Sequence, residues 1–298
     1  MRIVAENLTF TYNKMSKFAV DALKDVSLTI EEGSFFGIIG HTGSGKSTFI
    51  QHLNGIIPVT GGKLTVGDIN LADKKKIVRK RYKELRSKVG MVFQYPEYQL
   101  FAETVFLDVA FGYKNFYPNS TEEEIKQAVY KALEMLGLPY DCVNKSPLDL
   151  SGGQKRRVAI AGVLVSNPEV LVLDEPVAGL DPVGKNELMR ILHDLHESGV
   201  VKTVIIVSHD MDEVCENCTD VAVFSNGQIV FSGKPKDVFS RSSEMNDLRL
   251  GVPATGYLID DLKAVGVEID SDFTREDFVQ KVVDYYKNNK YSTHRLTF

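Results

Sequence analysis

Ten residues near the start of the chain have side chains and spacing suited to binding phosphate. The stretch "GHTGSGKSTF" (40–49) matches the pattern G-x-x-x-x-G-K-[ST] at Gly40, Gly45, Lys46 and Ser47. Glycines let backbone N–H groups approach phosphate oxygens, the lysine places a positive charge against the terminal phosphates, and the serine hydroxyl can ligate Mg²⁺. The pattern predicts a site for the phosphates of a nucleoside triphosphate.

The segments on either side of this phosphate loop have the structure that the pattern requires. The apolar run "SFFGIIG" before it predicts a buried strand, and "KSTFIQHLNGI" after it predicts a helix whose N-terminus attracts anions. A glycine-rich turn without a ligand is the alternative. That alternative does not explain why every position of the pattern is filled and both flanks fit.

Two further segments predict phosphate chemistry. In "VLVLDEP" an apolar run brings Asp174 and Glu175 to the end of a strand, where Asp174 can hold Mg²⁺ and Glu175 can polarise an attacking water. In "LSGGQKRR" (150–157) a serine and two glycines precede a helical segment, which is again an arrangement that binds phosphate through backbone N–H groups. Together these segments favour hydrolysis of a nucleotide, and the second phosphate-binding arrangement requires an explanation.

Over residues 1–235 the sequence resembles the ATP-binding-cassette (ABC) ATPases, which carry five motifs in the order found here. The motifs are the phosphate loop at Gly40–Thr48, "LSGGQ" at Leu150–Gln154, "LVLDEP" at Leu171–Pro176, "GLD" at Gly179–Asp181 and "SHD" around His209. The resemblance implies a dimer that holds two ATP molecules, with the phosphate loop of one chain facing the LSGGQ segment of the other. This pairing would explain the second phosphate-binding arrangement.

The resemblance also implies a role for each matching residue. Glu175 would be the general base, His209 would contact the γ-phosphate, Gln94 would sense that phosphate beside Mg²⁺, and Asp181 would communicate across the dimer interface. The implied ATP-binding residues are Tyr12, Gly40, His41, Thr42, Gly43, Ser44, Gly45, Lys46, Ser47 and Thr48, with Tyr12 stacked on adenine. The implied Mg²⁺ ligands are Ser47, Gln94 and Asp174, and the residues that contact the partner's ATP are Ser151, Gly152, Gly153 and Gln154.

A finer resemblance connects the chain to the ATPases of energy-coupling-factor (ECF) importers of vitamins and transition-metal ions. It is carried by "FQYPEYQLFAETVFLDVAFG" (93–112), "AGLDP" and a C-terminal "LGVP", and the variant residues His41 and Thr42 look more like the second of the two paralogous ATPases. The implied partners are the paralogous ATPase, a transmembrane coupling subunit and small substrate-binding membrane proteins. The implied location is the cytoplasmic side of the cell membrane, as a peripheral subunit.

The patterning predicts an α/β fold with two parts. Residues 1–233 are predicted to form an ABC-type ATPase domain with a mixed sheet, an antiparallel β subdomain and a helical subdomain at about 95–165. The runs "PEVLVLDEP" and "VKTVIIVSHD" predict buried parallel strands, residues 121–137 an amphipathic helix with a capping box, and Asn226-Gly227 a hairpin turn. Residues 234–298 are predicted to form a small helical C-terminal domain, and the resemblance to the ECF ATPases implies that it helps hold two ATPases together.

Composition and charge limit the alternatives. The 298-residue chain has a net charge of −5, and nowhere do eighteen apolar residues follow one another, so we expect neither nucleic acid as a partner nor a membrane span. The basic segment 73–88 has nine basic and two acidic residues and is either a solvated surface or a contact with lipid headgroups or nucleic acid. Three cysteines predict a reducing, cytosolic compartment, and Cys215 and Cys218 are expected to be incidental.

Two other functions remain open at this stage. One is the ATPase of a conventional ABC importer, which would work as a homodimer. The other is an ABC ATPase that acts on DNA or ribosomes. The DNA-structural members insert long coiled coils before the LSGGQ segment and the ribosomal members carry two cassettes, whereas this chain has neither feature.

Overall fold

The computed structural model describes residues 1–72 and 81–290. Its strands are β1 Ile3–Tyr12, β2 Val20–Ile30, β3 Phe35–Gly40, β4 Gly61–Val66, β5 Ile69–Asn70, β6 Val89–Val92, β7 Val170–Asp174, β8 Thr203–Val207, β9 Asp220–Ser225 and β10 Gln228–Gly233. Its α-helices are α1 Lys46–Leu53, α2 Tyr82–Lys88, α3 Val105–Phe116, α4 Glu122–Met135, α5 Gly152–Leu164, α6 Pro182–Glu197, α7 Met211–Asn217, α8 Pro235–Phe239, α9 Ser242–Asp247, α10 Ala254–Ala264 and α11 Arg275–Lys290.

The larger sheet has six strands in the order β10-β9-β3-β8-β7-β6. Its five strands from β9 to β6 run parallel, and β10 is antiparallel at the edge. Strand β3 is buried on both faces because Phe35 and Ile39 pack in one core cluster and Phe36 and Ile38 in the other. The predicted α/β fold with a mixed sheet is confirmed, and the carboxyl ends of β3, β7 and β8 meet at one edge.

The smaller sheet is antiparallel, with four strands in the order β2-β1-β4-β5. Ile3 of β1 lies opposite Ile30 on one side and Val66 on the other, and all three side chains are fully buried. This sheet packs over α1 and one face of the larger sheet. It brings the end of β1 and the start of β2 beside the phosphate loop.

Three local features predicted from the sequence are present in the structure. Thr121 and Glu124 form the predicted capping box at the start of α4. Asn226 and Gly227 both have positive φ, as the tight turn between β9 and β10 requires. The predicted helices after residue 233 are present as α10 and α11.

The region after Gly233 shares the core of the ATPase. Val238, Phe239, Met245, Val252 and Phe273 are buried in the same cluster as the helices that cover the larger sheet. By contrast, Leu258 of α10 is 49% exposed, and Val265, directly after that helix, is 76% exposed. The boundary predicted at residue 233 therefore stays a prediction.

The basic segment 73–88 falls largely outside the described residues, which begin again at Arg81. Arg81 pairs with Asp68 and Glu84, and Lys88 also pairs with Glu84. The Arg86 guanidinium donates to the backbone carbonyls of Asn54 and Gly55. Three cations of the described part, Arg81, Arg86 and Lys88, therefore make internal contacts.

Candidate functional site

The phosphate loop connects the end of β3 to the start of α1, as the sequence predicts. Gly40 has φ 150° and Gly45 has φ 107°, a region that favours glycine. A Cβ built on Gly45 would lie 2.6 Å from the carbonyl oxygen of Ala22, and one on Gly40 would lie 2.3 Å from that of Phe224. Both glycines are required by the close approach of neighbouring strands as well as by the backbone turn.

Lys46 is the buried cation of this loop. Its Nζ donates to the carbonyl oxygens of Gly40 at 2.6 Å and His41 at 3.0 Å. Burial lowers the pKa of Lys46, and the nearby carboxylates of Glu175 and Asp174 oppose that shift. A desolvated ammonium group held against the loop is well placed to meet a phosphate.

Ser47 and Asp174 face each other across the carboxyl edge of the sheet. The Ser47 hydroxyl donates to the Asp174 carboxylate at 3.0 Å. Burial raises the pKa of Asp174, and the negative charge of Glu175 raises it further. A hydroxyl beside a desolvated carboxylate fits Mg²⁺, which is bound by one or two protein oxygens together with phosphate and water. Within the described ranges no group of three or more His, Cys, Asp or Glu forms a cluster that could hold a metal by itself.

Glu175 and His209 come together at the ends of β7 and β8. His209 Nδ1 lies 2.8 Å from Glu175 Oε2, and the Glu175 N–H donates to the carbonyl of Val207. Glu175 has φ 53°, an uncommon conformation for a residue other than glycine, and strained backbone of this kind is concentrated at functional sites. The carboxylate is thereby aimed at the space beside the phosphate loop.

One cavity of about 750 Å³ is lined by all the residues predicted to bind or hydrolyse ATP within this chain. These are Tyr12, residues 40–48, Gln94, Asp174, Glu175 and His209. Tyr12 is 38% exposed, and its hydroxyl lies 3.3 Å from that of Thr48, so its ring stands at the mouth beside the loop. The structure brings these predicted residues together, and their individual chemical roles stay predictions.

Among the described residues, the LSGGQ segment and Asp181 lie outside this cavity. Ser151 begins α5 with a reciprocal pair of hydrogen bonds to Gln154, and Asp181 begins α6 by accepting from the Gly184 N–H. A Cβ built on Gly152 or Gly153 would meet no described atom within 4 Å. The second predicted phosphate-binding arrangement is therefore open and separate from the cavity that contains the first.

Seven residues that line the cavity were not predicted from the sequence. They are Val20, Asp21, Ala22, Met211, Arg249, Leu250 and Gly251. The first three come from the smaller sheet and the last three from the segment after α9. Leu250 and Gly251 belong to the "LGVP" of the ECF resemblance, but no nucleotide-binding motif marks any of the seven, because their position depends on how the smaller sheet and the C-terminal region pack.

Comparison with known proteins decides the family. The model of the ABC transporter family matches residues 23–178, more than half of the chain. The chain belongs to the ABC transporter family. The ABC ATPase predicted from the five motifs is thus confirmed, as is the family's P-loop fold.

The relatives of this ABC protein cover nearly its whole length. A protein of Caldanaerobacter subterraneus subsp. tengcongensis, named energy-coupling factor transporter ATP-binding protein EcfA2, is 44% identical over 291 residues, which are 97% of this chain and 99% of that protein. The resemblance to ECF ATPases is confirmed by this relative.

Two solved structures are similar to this ABC ATPase. One is cbiO1 from Clostridium perfringens, described as part of the ABC transporter complex cbiONQ, with 37% identity, a TM-score of 0.71 and coverage of 87% of this chain and 98% of that one. Another is the ATP-binding cassette MJ0796, described as a dimer in a post-hydrolysis state bound to ADP and Pi, with 31% identity, a TM-score of 0.69 and coverage of 78% and 98%.

A membrane-spanning helix needs about 20 mostly apolar residues, which sets the standard for the described helices of this ABC protein. None of them is long and apolar enough to cross a bilayer.

Proposed function

We propose that this chain is the ATP-hydrolysing subunit of an energy-coupling-factor importer, bound peripherally to the cytoplasmic side of the cell membrane. The observation that carries the proposal is the single cavity in which the phosphate loop, Asp174, Glu175 and His209 meet. The importer would move a vitamin or a transition-metal ion.

The arrangement of side chains supports a path for hydrolysis. The loop N–H groups and Lys46 bind the phosphates of ATP, and Ser47, Asp174 and Gln94 would hold Mg²⁺, which neutralises charge on the phosphates when bound. Glu175 accepts a proton from the attacking water, and its hydrogen bond to His209 fixes the direction of the carboxylate. His209 then lies where it can contact the γ-phosphate.

The open LSGGQ segment supports a dimer as the complete enzyme. Gly152 and Gly153 have free space above them, and the N-terminus of α5 can donate backbone hydrogen bonds to an anion. Since this segment lies outside the chain's own cavity, its ATP would come from a partner subunit. We assign that partner to the paralogous ATPase, with Asp181 at the interface between the two.

Exposed aromatic side chains after Gln94 support a membrane partner. Tyr98 is 84% exposed, Phe101 67% and Phe111 51%, and Phe101 packs edge to face against Phe111. Neighbouring apolar side chains form a surface patch of a kind that marks protein–protein contacts. This patch would receive a helix of the transmembrane coupling subunit, while small membrane proteins capture the substrate.

Affinity purification of the tagged chain from native membranes in mild detergent tests the proposal. We expect a second ATPase, one transmembrane subunit and small membrane proteins, identified by mass spectrometry with their stoichiometry. Two copies of this chain with a conventional pair of permease subunits would contradict the ECF assignment. Nucleic acid that resists nuclease and dissociates with salt would contradict transport altogether.

A further inference from the structure

A cation from the C-terminal region lines the nucleotide cavity, although it belongs to none of the five motifs. We propose that Arg249 binds the terminal phosphate of ATP in its own chain, so that the C-terminal region completes the nucleotide site. This inference rests on the proposed function of the cavity. It makes the region after α9 a part of nucleotide recognition as well as of packing.

The charges of the cavity favour this role. Lys46 and Arg249 are the Lys and Arg side chains among the described residues that line it, and the same lining includes the carboxylates of Asp21, Asp174 and Glu175. Bound ATP would add several more negative charges at the phosphate end. An arginine supplied to the γ-phosphate is a recurring way in which nucleotide hydrolases stabilise that charge.

The Arg249 guanidinium is available for a ligand. Within residues 1–72 and 81–290 it has no hydrogen-bond or ion-pair partner, and the side chain is exposed. Other arginines of the C-terminal region are engaged: Arg241 pairs with Glu244 and lies 5.1 Å from the ring centroid of Phe231, and Arg275 pairs with Glu216. Of these three arginines in the described part of the C-terminal region, the one that lines the cavity is the one without a protein partner.

The backbone at Arg249 is shaped by the end of α9. The Leu250 N–H donates to the carbonyl of Met245 at 2.9 Å, and the Arg249 N–H donates to that of Asn246 at 2.8 Å. This pair of hydrogen bonds is a Schellman motif, whose left-handed position favours glycine, yet Arg249 occupies it with φ 57°. An arginine held in that conformation has its side chain directed by the turn.

The turn is held by the core and by α7, the helix that follows His209, which is proposed to contact the γ-phosphate. Met245 and Leu250 are buried in the main core. The Ala254 N–H donates to the Asp212 carboxylate of α7 at 3.0 Å, and α7 begins two residues after His209. Met211, its first residue, lines the cavity together with Arg249. The segment that carries Arg249 and the helix that follows His209 are therefore held together where both line the cavity.

The test compares nucleotide affinities of the full-length chain carrying Arg249→Gly, Arg249→Lys or Arg241→Ala. Glycine suits the left-handed backbone, so Arg249→Gly removes the guanidinium while retaining the turn, and its melting temperature should equal or exceed that of the wild type. Displacement of a fluorescent ATP analogue by ATP, ADP and AMP, each with Mg²⁺, gives the affinities. Arg241→Ala is the matched control because Arg241 lies outside the cavity lining.

We expect Arg249→Gly to weaken ATP binding about tenfold or more, with ADP and AMP changed less than threefold, since a charged hydrogen bond to one phosphate is lost. Arg249→Lys should restore part of the affinity, and Arg241→Ala should bind all three nucleotides as the wild type does. Unchanged ATP affinity in Arg249→Gly, or an equal loss for all three nucleotides, would overturn the inference. So would a loss seen only when a partner ATPase is present, because Arg249 would then act across the interface.

Failure of the proposed function gives a different pattern. If the wild-type chain does not bind ATP, or if Lys46→Ala binds it normally, the assignment of the cavity is wrong and the role of Arg249 fails with it. If wild type binds ATP, Lys46→Ala does not, and Arg249→Gly is neutral, only the inference about Arg249 is wrong.

Discussion

At the scale of single residues, the two ends of β7 carry glutamates in different surroundings. Glu175 follows the strand, has a left-handed backbone and contacts His209, whereas Glu169 precedes the strand and pairs with Lys202. Only the first lines the nucleotide cavity. Substituting each of these two glutamates therefore separates the loss of the proposed catalytic carboxylate from the loss of a negative charge on the same strand.

Glu175→Gln should lower ATP turnover at least a hundredfold while ATP affinity stays within about threefold of the wild type. The amide keeps the shape and the contact with His209 but cannot accept a proton from water, and general-base catalysis contributes factors of this size. Phosphate release, measured where this subunit has the only intact site, checks turnover. Glu169→Gln should hydrolyse normally. Undiminished turnover in Glu175→Gln would rule out its role as the base.

The buried carboxyl group of Glu213, in α7, predicts a pH dependence of stability. Glu213 accepts from the Ser208 hydroxyl at 3.0 Å, and its Oε1 has no hydrogen-bond partner among the described residues. Burial raises the pKa of Glu213 to about 7, although Ser208 and Lys185 oppose the shift. Because the folded pKa exceeds the unfolded value, the contribution to stability is fully present below about pH 4.5 and is lost as pH rises through about 7.

Glu213→Gln should therefore gain stability over the wild type as pH rises. Near pH 5 both folded proteins carry a neutral side chain at this position and should melt at similar temperatures. At pH 8 the free energy of unfolding of the variant should exceed that of the wild type by on the order of 2 to 3 kcal/mol. Thermal unfolding of both proteins at the two pH values measures this. Glu197→Gln, at the exposed end of α6, should follow the wild type. Parallel pH curves for Glu213→Gln and the wild type would contradict the prediction.

The sequence identifies residues whose roles depend on local patterns and misses those placed by tertiary packing. Lys46, Asp174 and Glu175 are predictable because each follows an apolar run that must be a buried strand. Arg249 and Glu213 carry no such pattern. Arg249 reaches the cavity through the packing of α9, and the burial of Glu213 depends on the elements that surround α7.

At the scale of elements, one arginine of α5 joins three segments of the site. Arg156 is 2% exposed, and its guanidinium donates to both carboxylate oxygens of Glu97, which follows Gln94, at 2.8 and 3.1 Å. It also donates to the carbonyls of Pro176 and Ala178, just after Glu175. A movement of the surface after Gln94 would thus be transmitted to the catalytic strand and to the start of the LSGGQ helix.

Replacing Arg156 by methionine should destabilise the chain by about 3 kcal/mol, because Glu97 and two carbonyls lose their donor in a buried setting. The same change in a Glu97→Gln background should cost at least about 1 kcal/mol less. Urea unfolding of the four proteins measures this coupling. Arg157→Met is the control: Arg157 pairs with the half-exposed Glu187 and should cost about 1 kcal/mol or less. Additive effects at Arg156 and Glu97 would contradict the predicted junction.

The elements also show where sequence patterns stop being informative. The buried strands, the capping box of α4 and the turn at Asn226 follow from local composition and were predicted. The order β10-β9-β3-β8-β7-β6 does not, since it depends on which strand edges pair across long separations in the chain. The same holds for the smaller sheet, whose packing brings Asp21 and Ala22 to the cavity.

At the scale of the whole molecule, the C-terminal region has an inner and an outer part. Residues 234–273 place Phe239, Met245 and Phe273 in the core, and a hydrogen bond from the Ala254 N–H to Asp212 connects this inner part to α7. The first residue of α11, Arg275, also donates its N–H to Glu216 of α7. Helix α11 lies outside, with Val279 58% exposed. We therefore propose that exposed side chains such as Leu258 of α10 and Val279 of α11 meet a second ATPase, while the inner part belongs to the fold of this one.

Truncation separates these two parts. A chain ending at Gly233 exposes the apolar groups that cover the core from outside, each worth roughly 1.5 to 3 kcal/mol when buried, so it should melt well below the full chain or fail to remain in solution. A chain ending at Thr274 loses α11, whose described side chains at 275–288 are mainly exposed, and should melt within a few degrees of the full chain. Calorimetry of the full chain and the two truncated chains measures their melting temperatures, and ATP binding is a second readout. Equal melting temperatures for the 233-residue and full-length chains would show that residue 233 is a true domain boundary and that the C-terminal region is only a docking module.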